Sequence, residues 1–176
     1  MDAEAEKELW TCCPGTEVDK GKRLQIQWVP IDLSNPNVDL EGAVKCGTDH
    51  EGYETYVARA HIRGAWLPSY FVPETNWLNN CHTEIELLIL RDCEFEWVHA
   101  ENGAIPTNAL KTGYDERGDS FYTGRAIFKN RLVLGKINRS WGCLLIPNKE
   151  FKVRKTHYEV LVVWPKAQAE QWDMFF

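Results

Sequence analysis

The sequence predicts an all-β fold built as two tandem repeats of short antiparallel strands related by a pseudo-twofold. Three observations carry that expectation. The chain contains a stretch of itself twice: Lys45-Cys46-Gly47-Thr48-Asp49 is echoed by Lys111-Thr112-Gly113-Tyr114-Asp115, an offset of 115 − 49 = 66. At the same ungapped offset Ala43, Gly52, Tyr56, Arg59 and Ala60 match Ala109, Gly118, Tyr122, Arg125 and Ala126. Roughly one identity would arise by chance in so short a window, so duplication of a supersecondary unit is the default explanation. Apolar and polar residues alternate through Leu24, Ile26 and Trp28 and again through the stretch that carries Val57 and Arg59, the period of half-buried strands. Turn-forming residues then recur at about the 8–12-residue spacing of an antiparallel meander, as in Ser34-Asn35-Pro36-Asn37, Asp49-His50-Glu51-Gly52, Glu101-Asn102-Gly103 and Asp115-Glu116-Arg117-Gly118.

Taken in order, residues 1–23 read as an N-terminal arm, helical over 3–10 and turning at Pro14-Gly15. The first repeat spans 24–92, opening on Trp28-Val29 and closing on Glu86-Leu87-Leu88-Ile89-Leu90. The second spans 93–164, from Trp97-Val98 to Glu159-Val160-Leu161-Val162-Val163. Both closing runs are rich in branched apolar residues, as in strands covered on two faces. Their offset, 159 − 86 = 73, gives the second copy seven more residues than the core offset of 66. They fall within 141–155, and insertions in repeats map to loops, often on the functional face. The tail, 165–176, holds Trp172, Met174, Phe175 and Phe176 and is expected to pack on the body.

Composition narrows the function classes. A chain of 176 residues forms one domain or two closely packed halves. The net charge of −6 argues against nucleic acid, which needs a basic stripe. The local cation clusters Lys20-Gly21-Lys22-Arg23 and Lys152-Val153-Arg154-Lys155 read as solvated faces or strand edges. No apolar run reaches the ~20 residues of a membrane-spanning helix. The acidic start of the chain lacks the apolar core of a signal peptide, so a cytoplasmic protein is expected. Six cysteines are scattered without a CxxC pair, and free, mostly buried thiols are expected. The five histidines show no paired spacing for metal or catalysis, and no nucleophile motif is present. The expectation is therefore a protein without metal or cofactor and without enzymatic activity.

The run Ile105-Pro106, Ala109, Gly113-Tyr114-Asp115, Gly118, Tyr122-Thr123-Gly124-Arg125-Ala126, Leu134-Gly135-Lys136, Lys149-Glu150 and Tyr158-Glu159-Val160-Leu161 resembles the DM-nine repeat family. The likeness covers about 28–164 as two repeats. Members occur in insects and molluscs; some resemble salivary or gut proteins that respond to parasites, and others are mannose-binding lectins of innate immunity. The resemblance implies an all-β fold with a pseudo-twofold, a mannose-type ligand and a homodimer. It also implies that an Asp and a Lys grip the sugar. In the second repeat these are Asp115 and Lys136, with Leu134 where the family has Pro. The first repeat supplies Asp49, but its Lys position, 136 − 66 = 70, holds Tyr70, and the preceding Gly is Ser69.

Those residue types suit a polyol. A carboxylate accepts hydroxyl protons, an ammonium donates to the remaining lone pairs, and such charge-assisted bonds are about twice as strong as neutral ones. An aromatic face covers the sugar's C–H patch, for which Tyr114, Tyr122 and Trp141 are candidates, and Glu150 is a candidate second carboxylate. No EF-hand cadence is present, so the binding expected is calcium-independent. Simpler roles stand beside these. Asp49 and Asp115 each open a turn that ends in Gly and can cap it through backbone N–H groups. Lys136 can be a solvated strand residue. Arg59 and Arg125 are expected to be structural cations paired with Glu86 and Glu159. The alternative to a lectin is an intracellular structural or protein-interaction module that has lost its sugar.

Overall fold

A computed structural model describes residues 25–35, 37–75, 77–78, 84–147 and 152–166. The proposed arm helix over 3–10, the tail at 167–176 and Glu150 lie outside them. The described chain is all-β, with one short 3-10 turn at Pro73–Thr75. Its first half contains β1 (Gln25–Pro30), β2 (Lys45–Thr48), β3 (Glu54–Ile62), β4 (Ala65–Val72), β5 (Trp77–Leu78) and β6 (Glu84–Arg91). Its second half contains β7 (Cys93–Glu101), β8 (Lys111–Tyr114), β9 (Ser120–Phe128), β10 (Arg131–Asn138), β11 (Cys143–Ile146), β12 (Val153–Lys155) and β13 (His157–Pro165). No helix among the described residues is long and apolar enough to cross a membrane.

Every strand pairing is antiparallel, and the hydrogen-bonded path runs β1-β6-β3-β4-β8-β9-β10-β11-β12, with β13 between β7 and β9. Several elements recur at the 66-residue offset. β2, β3 and β4 start at 45, 54 and 65, and β8, β9 and β10 start at 111, 120 and 131, each 66 later. β1 pairs with β6 as β7 pairs with β13, and β6 lies beside β3 as β13 lies beside β9. The pairs Phe71↔Leu78 and Val72↔Trp77 recur 66 residues later as Ile137↔Leu144 and Asn138↔Cys143. The added residues of the second copy do not form a loop alone. The region 141–155 carries β11 and β12, and Leu144, Leu145 and Ile146 are buried and hold β11 against the body.

Two local rules recur in both halves. The hairpin joining β3 to β4 turns on Arg63 (φ 50) and Gly64 (φ 79), and that joining β9 to β10 turns on Lys129 (φ 50) and Asn130 (φ 62). Paired positive φ values match the right-handed strand twist of a tight hairpin. The β2–β3 and β8–β9 connections are instead built on an aspartate, as described below.

The core has three parts. Val44, Val57, Leu88, Leu134 and Leu161 form a central cluster drawn from both halves. Tyr56, Phe71 and Leu87 fill the outer face of the first half, and Ala126, Ile137, Leu144 and Val160 that of the second. β6 and β13 are thus covered on both faces, as their continuous apolar runs require. At the seam, a Cβ on Gly47 would lie 2.3 Å from the Leu132 carbonyl oxygen, and a Cβ on Gly113 would lie 2.0 Å from that of Trp66. The contact is reciprocal: 113 − 47 and 132 − 66 are both 66. Only glycine allows the two backbones this close.

Candidate functional site

Asp115 opens the β8–β9 turn. Its Oδ1 accepts the backbone N–H groups of Arg117 and Asp119, each at 2.9 Å. The Gly118 N–H donates to the Asp115 carbonyl at 3.0 Å, and Gly118 itself takes φ +84. Asp115 therefore caps its turn, as one of its two expected roles requires. That role uses only one carboxylate oxygen; Oδ2 has no hydrogen-bond partner among the described residues. The turn thus orients the second oxygen while leaving it available.

Lys136 projects from β10, where its Cα neighbours are Thr123 on β9 and Leu145 on β11. Gly135, immediately before it, lets β11 approach: a Cβ there would lie 2.4 Å from the Leu145 carbonyl oxygen. The Lys136 ammonium sits 4.0 Å from the centroid of the Phe121 ring, a cation–π contact. Burial holds it below the ordinary lysine range, the like charge of Lys152 adds to this, and Asp115 opposes it.

Both residues line one open depression of about 1200 Å³. Tyr122 and Ile137 also line it. The Asp115 turn lines it on one part, and on another the β7–β8 connection at Asn102 and Gly103 meets the end of β10 at Asn138 and the following Arg139. These two tips touch through glycines, since a Cβ on Gly103 would lie 3.0 Å from the Gly142 Cα. The Asn138 side chain braces the loop by accepting the Trp141 N–H at 2.9 Å. Glu101, on the rim, pairs with His157 at 3.0 Å. Asn102, Asn138 and Arg139 were not singled out from the sequence. They lie outside the strongest 66-residue echo, Asn102 and Arg139 in connections and Asn138 at the end of β10.

The other sequence candidates are placed elsewhere. Tyr114 lies at the seam, its Cα paired with Trp66. Trp141 is 56% exposed with the Arg154 guanidinium 4.6 Å over its ring, outside the wall of the depression. In the first half Asp49 repeats the turn of Asp115, with Oδ1 accepting the Glu51 and Tyr53 N–H groups at 2.9 Å. Asp49, however, is only 5% exposed, while Asp115 is half-buried. Tyr70 packs partly buried against the central core, and burial pushes its hydroxyl above the usual phenol range. A neutral phenol thus stands where the second half has a cation. Beside it Phe71, fully buried, replaces Ile137.

Arg59 and Arg125 are structural, as expected. The Nε of each donates to a carboxylate at 2.6 Å, Glu86 in one half and Glu159 in the other. Arg59 stacks over Trp28 at 4.3 Å and Trp66 at 4.5 Å, and Arg125 over Trp97 at 4.4 Å. Arg125 also donates to the Cys46 carbonyl at 3.1 Å, tying the second half to the first. Among the described cysteines Cys46 and Cys143 are buried free thiols and Cys93 is a half-buried one. Among the described residues no group of three or more His, Cys, Asp or Glu side chains is disposed to hold a metal.

No match was found among curated proteins. A family model, the DM9 repeat, matches residues 49–155, which include both aspartate turns, both Arg–Glu pairs' arginines and the Gly135-Lys136 step. That span is more than half of the chain, and the protein belongs to the DM9 repeat family.

Proposed function

We propose that this protein binds carbohydrate without calcium, at the second-half depression, with Asp115 and Lys136 as its polar contacts. The observation that carries the reading is that an available carboxylate oxygen and a partly buried ammonium share one open, polar hollow. The Asp115 Oδ2 accepts a hydroxyl proton of the sugar, and the Lys136 ammonium donates to a neighbouring hydroxyl oxygen. Each bond is charge-assisted, and the two charges balance, which limits the cost of removing them from water. Tyr122 in the lining offers a ring to the sugar's C–H face. A hollow of about 1200 Å³ exceeds what a single small ligand fills, so it suits an oligosaccharide chain end. A mannose-type sugar, a role in microbe recognition and a homodimer that supplies avidity complete the proposal. The reciprocal Gly47 and Gly113 contacts favour a pseudo-twofold between the halves, with only the second half keeping an accessible site.

The test exploits the division of labour within Asp115. Asp115→Asn keeps an oxygen that accepts the two turn N–H groups but replaces the carboxylate. The expected result is loss of retention on a mannan resin with thermal stability close to that of the parent, and the same loss for Lys136→Gln. EDTA leaves parental retention unchanged. Retention of Asp115→Asn equal to the parent's refutes the site. A parent that is retained on no glycan but captures a protein partner refutes the sugar and favours an interaction module.

A further inference from the structure

We propose that the glycan recognised here carries an anionic substituent (phosphate, sulfate or uronate), received by a cationic shelf of Lys152 and Arg154 beside Lys136. The inference rests on the glycan-binding reading above and adds a charge requirement to it. It starts from strand register. Lys136 on β10 is the Cα partner of Leu145 on β11, and Leu145 is the partner of Arg154 on β12. Directly paired residues in an antiparallel ladder project to one face. Lys152, immediately before β12, lines the same cleft as Lys136 and Leu145. β12 and the residue before it thus bring two cations to the side of the sheet that holds the sugar-facing lysine.

A second, smaller cleft of about 140 Å³ adjoins the first at Lys136, which lines both. Its lining is mostly apolar: Ile62, Leu67 and Pro68 from the first half, and Leu145 and Pro147 from the second. Lys136 and Lys152 are the charged side chains on its wall, and no described carboxylate lines it. Two ammonium groups converging on one apolar cleft repel each other, and the like charge of Lys152 contributes to holding Lys136 below the ordinary lysine range. An anion seated between them removes that repulsion and, in a partly dry cleft, is held more strongly than at an open surface.

Arg154 extends the shelf. Its guanidinium carbon lies over Trp141, 4.6 Å from the ring centroid, and has no carboxylate partner among the described residues. The cation–π contact anchors the guanidinium without using its N–H donors, which suit an oxyanion. The cations are not a reflection of a basic chain, whose net charge is −6. They concentrate where the second copy has gained a strand that the first copy lacks among its described residues.

The experiment follows amide shifts in the full chain during titration with α-methyl mannoside, mannose 6-phosphate, mannose 6-sulfate, mannuronate and inorganic phosphate. At least one charged sugar should bind about 10-fold more tightly than α-methyl mannoside at low salt. That advantage should shrink as ionic strength rises. The double variant Lys152→Gln/Arg154→Gln, confined to side chains outside the Asp115 turn, should abolish the advantage while leaving α-methyl mannoside affinity unchanged. Equal affinity for charged and neutral sugars, or an advantage that survives the double variant, overturns the proposal. Inorganic phosphate binding as tightly as every charged sugar also overturns it, since the shelf is then a plain anion site. If no sugar binds, charged or neutral, the glycan-binding reading itself fails; if only the neutral sugar binds, that reading stands and the charge requirement falls.

Discussion

Gly113→Ala should be among the most damaging single-methyl changes in this protein. The added Cβ would lie 2.0 Å from the Trp66 carbonyl oxygen and 2.9 Å from its carbon. Ordinary C···O contact begins near ~3.3 Å, so the strands must separate by more than about 1 Å. The obstacle is backbone, which cannot swing aside as a side-chain tip can. The displaced contact is also the one through which β4 and β8 join the halves, at Trp66↔Tyr114. Overpacking costs about 1–3 kcal/mol when side chains can yield; at a backbone contact about 3 kcal/mol is the expected figure. For a chain of this size that lowers the melting temperature by about 6–12 °C, at about 2–4 °C per kcal/mol. Gly118→Ala is the control. It has φ +84 and nothing within 4 Å of the new Cβ, so it bears only left-handed strain, about 1–2 kcal/mol. Gly47→Ala, whose Cβ would meet the Leu132 oxygen at 2.3 Å, should resemble Gly113→Ala. Because both open one seam, the double variant should lose less than the sum of the single losses. Thermal and urea unfolding of the four variants decide the matter. A Gly113→Ala protein that melts with, or above, Gly118→Ala refutes the reasoning.

Three further outcomes are expected. Asp115→Ala, unlike Asp115→Asn, deprives the Arg117 and Asp119 N–H groups of their acceptor and should lower unfolding stability by about 1–2 kcal/mol; urea midpoints that are identical for Ala and Asn contradict the capping role. Burial pushes the Cys46 thiol up to about 12, so iodoacetamide at pH 8 should modify Cys93 before Cys46, with Cys46 labelling following global unfolding in peptide mass spectra; early Cys46 labelling refutes its burial. The Lys136 pKa is lowered from the ordinary lysine value of 10.5, so the folded state sheds this proton before the unfolded state does. Its contribution to stability therefore rises with pH between the lowered value and 10.5, while sugar retention falls as the ammonium is lost; retention that persists unchanged above 10.5 contradicts the role of Lys136.

Much of the fold was legible because both copies obey the same local rules. The alternation through Ile26 and Trp28 marks β1, and the branched runs at 87–90 and 158–163 mark the doubly covered strands β6 and β13. Arg59 and Arg125 were legible as ion-paired cations because each follows alternating small or apolar residues at one register, and the pairing Arg59↔Glu86 repeats as Arg125↔Glu159. The site was legible only in part. Asp115 and Lys136 are 21 residues apart (136 − 115), and the antiparallel order β8-β9-β10 brings them to one hollow. That the wall opposite would come from Asn102 and Arg139 depends on two loop tips meeting through Gly103 and Gly142, a tertiary contact with no periodic signature. The same holds for β12, whose cations look like an ordinary solvated edge until the Lys136↔Leu145↔Arg154 register is known.

Comparing the two copies within one chain separates residues that build the fold from those open to a ligand. Where the copies agree, the structure supplies a folding reason in each: the glycines at 47 and 113 admit a backbone, the aspartates at 49 and 115 cap turns, and the arginines at 59 and 125 bind carboxylates. Identity between copies is therefore evidence of architecture, and by itself would not have marked Asp115 as a ligand contact. The informative positions are those at which one backbone carries different chemistry. Tyr70 and Lys136 occupy equivalent strand positions, one a partly buried phenol against the central core and the other a cation at the junction of two hollows. Asp49 and Asp115 share every turn hydrogen bond yet differ in access, 5% exposed against half-buried. Tyr70→Lys should therefore not create a second site: the new ammonium would face a carboxylate already enclosed, and neither would reach a sugar. If Tyr70→Lys in the Asp115→Asn background restored retention on mannan, access would not be what distinguishes the halves, and the charge of the lysine position alone would decide binding.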